Sequence, residues 1–216
     1  MLTDTTLSFI GSGAMAEAMI RGILAENLID PKRITASGPR AERGQELRGR
    51  YGIRTTTDNV AAAQAGQIIV LSVKPQILPR VLTELAGCVA EDALILSIVA
   101  GTRISVIESA LGTPAIVRAM PNMPAQIGEG MTVWTATPAV NERGQRQAQA
   151  MLAALGKELP VSDEGYLDMA TALSGTGPAY VFLFIEALID AGVHMGFSRR
   201  VAQELVLQTL AGSVTM

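Results

Sequence analysis

Gly11, Gly13 and Ala16 follow the apolar run Leu7–Ile10 at the spacing Gly-x-Gly-x-x-Ala, with Ser12, Ala14 and Met15 between them. After a strand and before a helix, that spacing suits a dinucleotide. The first glycine allows a tight turn, the second lets the backbone approach a pyrophosphate, and the alanine permits close helix packing. N–H groups at the helix start then face the phosphates. An ordinary glycine turn stays open as the alternative. At the end of the next apolar run stands Ser37-Gly-Pro-Arg40, where an NADH-specific fold carries an acid for the ribose hydroxyls. A serine donor and an arginine charge favour the 2′-phosphate of NADPH, with NADH possible. Arg40 also reads as a residue that merely opens a solvated helix. Two later runs end in Val73-Lys74-Pro75 and Ala100-Gly101-Thr102, at the edge where such folds bind ligands. They suggest a channel for the ribose and nicotinamide, although Lys74 fits a plain surface charge as well.

The inventory of other reactive groups is short. His194 is the only histidine, near an expected helix end, and the lysines are Lys32, Lys74 and Lys157. No catalytic side chain and no metal site are expected. One cysteine, Cys88, allows no internal disulfide and no thiolate zinc site. Hydride reduction of a ketone creates an alkoxide that needs a positioned acid, whereas a protonated imine accepts hydride directly. The inventory therefore suits a C=N substrate better than a hydroxy acid.

These residues need a scaffold, and the pattern supplies one. Short apolar runs at Arg33–Ser37, Ile53–Thr56, Ile68–Val73, Ala93–Val99, Ala115–Met120, Met131–Thr135 and Leu159–Val161 alternate with helical stretches. Those stretches include Ala41–Tyr51, Asn59–Ala65, Ile104–Leu111 and Arg143–Leu155. The alternation predicts an α/β fold, a Rossmann-type doubly wound, mostly parallel sheet. After Asp163 no strand pattern remains, and helical segments break at Gly175–Pro178 and Gly196–Ser198. We expect a dinucleotide-binding domain at 1–162 and an all-helical domain at 163–216. Ala179–Ala191 is apolar around most of its surface, so a partner subunit is expected to cover it. The pattern stops at Met216 without a cap, which reads as truncated.

A formal net charge of −3 without a basic stripe argues against nucleic acid. Residues 1–6 show no basic stretch ahead of an apolar run, and no uninterrupted apolar segment reaches membrane length. The expectation is a cytoplasmic protein with a small-molecule substrate and no membrane partner.

Gly11-x-Gly-x-x-Ala16, Val73-Lys-Pro75, Ala100-Gly101, Arg118-Ala-Met-Pro-Asn122 and Ser174-Gly-Thr-Gly-Pro-Ala-Tyr180 occur in this order. Together they resemble pyrroline-5-carboxylate reductase over essentially the whole chain. The resemblance implies NAD(P)H-dependent reduction of 1-pyrroline-5-carboxylate to L-proline, in a Rossmann domain followed by a helical dimerisation domain. It further implies that Gly11 to Ala16, Ser37, Asn59, Val73 to Pro75 and Ala100 line the cofactor. Glu164 and Ser174, Gly175, Thr176 and Gly177 would lie near the substrate; for Glu164 a solvated acid opening a helix stays open. Met123 departs from the family's usual threonine, and the family's later carboxylate-binding loop has no counterpart before Met216. A 3-hydroxyacid dehydrogenase, a broader imine reductase and a cofactor-binding protein without turnover are the rival readings.

Overall fold

The computed structural model describes residues 2–216, so Met1, part of the segment read above for a leader, lies outside the described residues. Contacts divide the chain into two compact units, one ending at Gly175 and one comprising Thr176–Met216.

The first unit alternates as its apolar periodicity requires. The order is β1 (Leu7–Ile10), α1 (Ala14–Ala25), β2 (Ile34–Ser37), α2 (Ala41–Tyr51), β3 (Arg54–Thr56) and α3 (Asn59–Gln64). There follow β4 (Ile68–Leu71), α4 (Leu78–Leu85), β5 (Leu94–Ser97), α5 (Ile104–Leu111) and β6 (Ile116–Met120). Then come β7 (Gly130–Ala136), α6 (Glu142–Ala153), β8 (Gly156–Pro160) and α7 (Gly165–Ala170). Eight strands form one sheet in the order β3-β2-β1-β4-β5-β6-β7-β8. Pairing is parallel throughout except between β6 and β7.

Central strands are apolar on both sides because helices cover both faces. Phe9, Val70 and Leu96 pack with Met19, Ile20 and Ile23 of α1 and with Met151 and Leu152 of α6. Their neighbours Ile10, Ile69, Leu71 and Ile95 turn the other way, onto Leu78, Val81 and Leu85 of α4 and Ile107 of α5. Each such fully buried side chain stabilises by about 1.5–3 kcal/mol. Asp58 caps α3 by accepting from the N–H groups of Val60 and Ala61 at 2.8 and 3.0 Å, and Asn141 caps α6 through Gly144 at 2.9 Å.

α4 had no counterpart among the expected helices, since its eight residues include Pro79. The proline sits in the first turn, where its missing N–H costs nothing. After α7 the chain makes a π-helical turn, Thr171–Gly175. The second unit holds α8 (Gly177–His194) and α9 (Arg199–Thr215), packed where Gly192 meets Ala202 and tied by Arg199 to Asp190 at 3.0 Å. Tyr180, Phe182, Leu183, Phe184 and Leu205 of this unit are exposed. The helical run Gly165–His194 has the length and mean hydropathy, 1.5, to cross a membrane by composition alone. The π turn interrupts it.

Candidate functional site

The carboxyl ends of β1, β2 and β4 open onto a cleft of about 570 Å³ lined by Gly11, Ser12, Gly13, Arg40, Asn59, Val73 and Lys74, among others. Gly11 has φ +106°, and a Cβ there would come 2.7 Å from the Ser72 carbonyl oxygen. Gly13 is the N-cap of α1 and makes no side-chain capping bond, while the space a Cβ would occupy is empty to 4 Å. An uncapped helix start with open space before it fits a pyrophosphate. Ala14, Met15 and Ala16 form the first turn of α1, with Ala16 fully buried.

Cations and acids both line the cleft, and the pairing decides its sign. Asp58 is committed to the start of α3. Glu84 is held by Arg80 at 3.2 Å and by Asn59 Nδ2 at 2.7 Å. Arg40 and Lys74 make no ion pair among the described residues, so their charges are available to an anion. Ser37 takes a different part from the one expected. It is fully buried, and its hydroxyl donates to Asn59 Oδ1 at 2.8 Å, with the Phe9 carbonyl at 3.3 Å. A serine has one hydrogen to give, so Ser37 reaches the cleft only by orienting Asn59. Pro75, Ala100 and Gly101 do not line this cleft; the latter two form the turn between β5 and α5, with Gly101 at φ +72°.

The glycine turn is braced from behind. Arg43 donates from Nε to the Ser12 carbonyl at 3.2 Å and pairs with Glu17 and Glu46. Arg50 and Tyr51 also bond Glu17. Burial pushes the Glu17 carboxyl up, but the bonds from Arg43, Tyr51 and Arg50 together outweigh it and hold the group below its ordinary range. The same bond to Glu17 raises Arg43.

A second cavity of about 220 Å³ is lined by Arg103, Arg118, Asp163, Glu164, Gly165 and Asp168. Glu164 Oε1 accepts from Arg118 Nη1 and from the Ile104 N–H, each at 2.7 Å. The Arg118 side chain is only 3% exposed and reaches Asp168 at 3.0 Å through Nη2. Glu164 therefore satisfies the start of α5 as well as a buried guanidinium. Ser174 and Gly175 lie in the π turn, whereas Thr176 and Gly177 begin the second unit. Sequence reasoning noted Arg118 and Asn122 only as letters of a motif. One signal was available: an arginine inside the apolar run Ala115–Met120 must be paired if it is buried. Among the described residues no group of three or more His, Cys, Asp or Glu side chains is placed to hold a metal.

Comparisons with known proteins agree with this geometry. A family profile described as NADP oxidoreductase, coenzyme F420-dependent, matches residues 6–101. One described as pyrroline-5-carboxylate reductase dimerisation matches residues 164–216. The chain is 41% identical to the pyrroline-5-carboxylate reductase of Synechocystis over 97% of its own length and 78% of that protein's. A pyrroline-5-carboxylate reductase structure from Coxiella burnetii matches with TM-score 0.91 and 34% identity, over 98% of this chain and 79% of that one. The Plasmodium falciparum pyrroline carboxylate reductase, solved with NADP bound, gives 0.87 and 36% over 99% and 78%.

Proposed function

The chain belongs to the pyrroline-5-carboxylate reductase family, and we infer from that membership that it reduces 1-pyrroline-5-carboxylate to L-proline with NADPH, the last step of proline synthesis. NADPH, when bound, supplies the hydride. The residues of the chain supply position and charge. The start of α1, from Gly11 to Ala16, holds the pyrophosphate, and Arg40 meets the 2′-phosphate. Ser37 keeps Asn59 turned toward the adenosine side, while Val73, Lys74, Pro75, Ala100 and Gly101 border the path to the nicotinamide. Glu164 and the stretch Ser174–Gly177 receive the substrate, with Glu164 as counter-charge to the ring nitrogen. No side-chain acid is needed, because the iminium carries its own proton.

The observation that carries this reading is the uncapped α1 start facing a cleft whose acids are already paired and whose Arg40 and Lys74 are not. We assign residues 1–162 to cofactor binding and 163–216 to dimerisation and substrate binding. The exposed aromatic and leucine side chains of α8 need a cover, and the match of residues 164–216 to a dimerisation profile supports a second copy, rather than a lipid phase, as that cover. A single cysteine fits a reducing cytoplasm. The test is steady-state oxidation of NADPH by the purified chain with 1-pyrroline-5-carboxylate. His194→Ala should leave turnover within about twofold; a loss of about 100-fold, the scale of a missing general acid, overturns the protonated-imine mechanism.

A further inference from the structure

Asn122 follows β6 with only 9% of its surface exposed. Its amide bridges two main-chain groups. Oδ1 accepts from the Met131 N–H at 2.9 Å, and Nδ2 donates to the Ser174 carbonyl at 3.0 Å. A backbone N–H can only donate and a carbonyl can only accept, so the amide has one permitted orientation.

The Ser174 carbonyl needs this partner for a reason written in the sequence. In an α-helix it would accept from the N–H four residues on, and that residue is Pro178, which has none. Here the chain makes its π-helical turn before the helix resumes at Gly177. Gly175 in the same turn lies so near β6 that a Cβ would stand 2.7 Å from Met120 Cε. The Ser174 hydroxyl is itself engaged, donating to the Ala170 carbonyl at 3.0 Å. The segment after β6 thus holds the turn by the Asn122 hydrogen bond at Ser174, with the Met120 side chain lying beside Gly175.

We infer that Asn122 is a positioning residue: it replaces the donor that Pro178 withholds and so fixes the Ser174–Gly175 peptide for the substrate. This rests on the proposed reading of Ser174–Gly177 as substrate-binding. Asn122 touches neither the substrate nor the cleft that takes the nucleotide; it acts through the turn.

The test uses the full chain and four variants: Asn122→Ala, Asn122→Asp, Pro178→Ala and the Asn122→Ala/Pro178→Ala pair. Loss of the hydrogen bond to the partly buried Ser174 carbonyl should raise KM for the imine about tenfold in Asn122→Ala. KM for NADPH should stay within about twofold, since Asn122 does not border the nucleotide cleft. Pro178→Ala restores an N–H four residues from Ser174, so the double variant should recover the part of the loss that comes from the Ser174 carbonyl, while the Met131 N–H stays without its acceptor. Asn122→Asp turns a carboxylate toward the carbonyl and should be worse than alanine at neutral pH. Its KM relative to that of Asn122→Ala should improve as pH falls through the carboxyl range, when the acid regains a donor. Backbone hydrogen exchange over residues 171–177 provides a readout independent of activity, expected to quicken in Asn122→Ala and slow again in the double variant. Unchanged exchange, or equal losses for NADPH and imine with no rescue by Pro178→Ala, overturns the inference. Changed and rescued exchange in a chain that never reduces the imine would instead overturn the substrate reading and leave the hold of Asn122 on the turn standing.

Discussion

Two alanines in the glycine turn should fail in different ways. At Gly11 the backbone has φ +106°, outside what an L side chain readily adopts, and the new Cβ would lie 2.7 and 2.8 Å from the Ser72 oxygen and carbon and 3.0 Å from Val73 Cγ1. The obstacle is backbone and cannot rotate away. Ser72 is locked by its own N–H to the Ile10 carbonyl at 2.9 Å and by its hydroxyl to the Gly11 carbonyl at 2.8 Å. Backbone strain of about 1–2 kcal/mol, plus one or two weakened hydrogen bonds of about 1 kcal/mol each, gives a cost of about 3 kcal/mol. For a chain of this size that lowers Tm by about 6–12 °C. At Gly13, with φ −75° and nothing within 4 Å of the added carbon, alanine strains nothing. Gly13→Ala should therefore keep Tm within about 2 °C and lose NADPH affinity, because the methyl occupies the approach to the helix start. Thermal melts paired with NADPH titration separate the two. Equal Tm for both variants, or unimpaired NADPH binding by Gly13→Ala, would refute the cradle argument.

Arg40→Glu should narrow or reverse the preference for NADPH over NADH, with a change of about 10- to 100-fold for a lost charge-assisted bond; equal dissociation constants for the two cofactors in the unmutated protein would sink the idea. Because Glu17 is held below its ordinary range in the folded chain, its contribution is fully present above the unfolded carboxyl pKa, about 4.3, and is lost as pH falls through the lower folded value. Denaturant midpoints of Glu17→Gln should accordingly fall below those of the unmutated chain near neutrality and converge on them in acid; a constant gap across that range contradicts the assignment. Leu183→Glu, on the exposed face of α8, should yield monomer or aggregate, and a soluble monomer in sedimentation before mutation would contradict the interface.

Local chemistry was legible in the sequence, and pairing at a distance was not. Ala41–Tyr51 and Ile104–Leu111 are helices over the expected residues, each closed by a following glycine, Gly52 and Gly112, in the left-handed conformation. Five strands, β2 to β6, are shorter than their apolar runs, since hydrogen-bonded register ends before hydrophobicity does. The direction of β7 was hidden: a strand reads alike in either sense. At the site, the Gly11–Ala16 turn was readable from spacing alone. The engagement of Ser37 with Asn59, of Glu17 with Arg43, and of Glu164 with Arg118 joins residues 22, 26 and 46 positions apart. No short-range period encodes such pairs. Each of the three gives a side chain first read as free, or not read at all, an internal partner, so the polar groups wholly open to a ligand are fewer than the sequence suggested.

The reversal at β7 bears on how this enzyme tolerates insertions. The connections after β1, β2, β4 and β5 pass into helices, and an extra residue there can be taken up at a helix end. The β6–β7 connection, residues 121–129, is different: both of its ends are fixed in adjacent strands, with Met120 opposite Val133 and Val117 opposite Ala136. A residue added there must bulge within the loop or slip the register by one, and a slip would turn buried Trp134 to the other face of the sheet. That connection also carries Asn122. Lengthening a nucleotide loop should therefore cost less than lengthening this joint, and an attempt to broaden the substrate range by lengthening it would meet the sheet before it met the substrate.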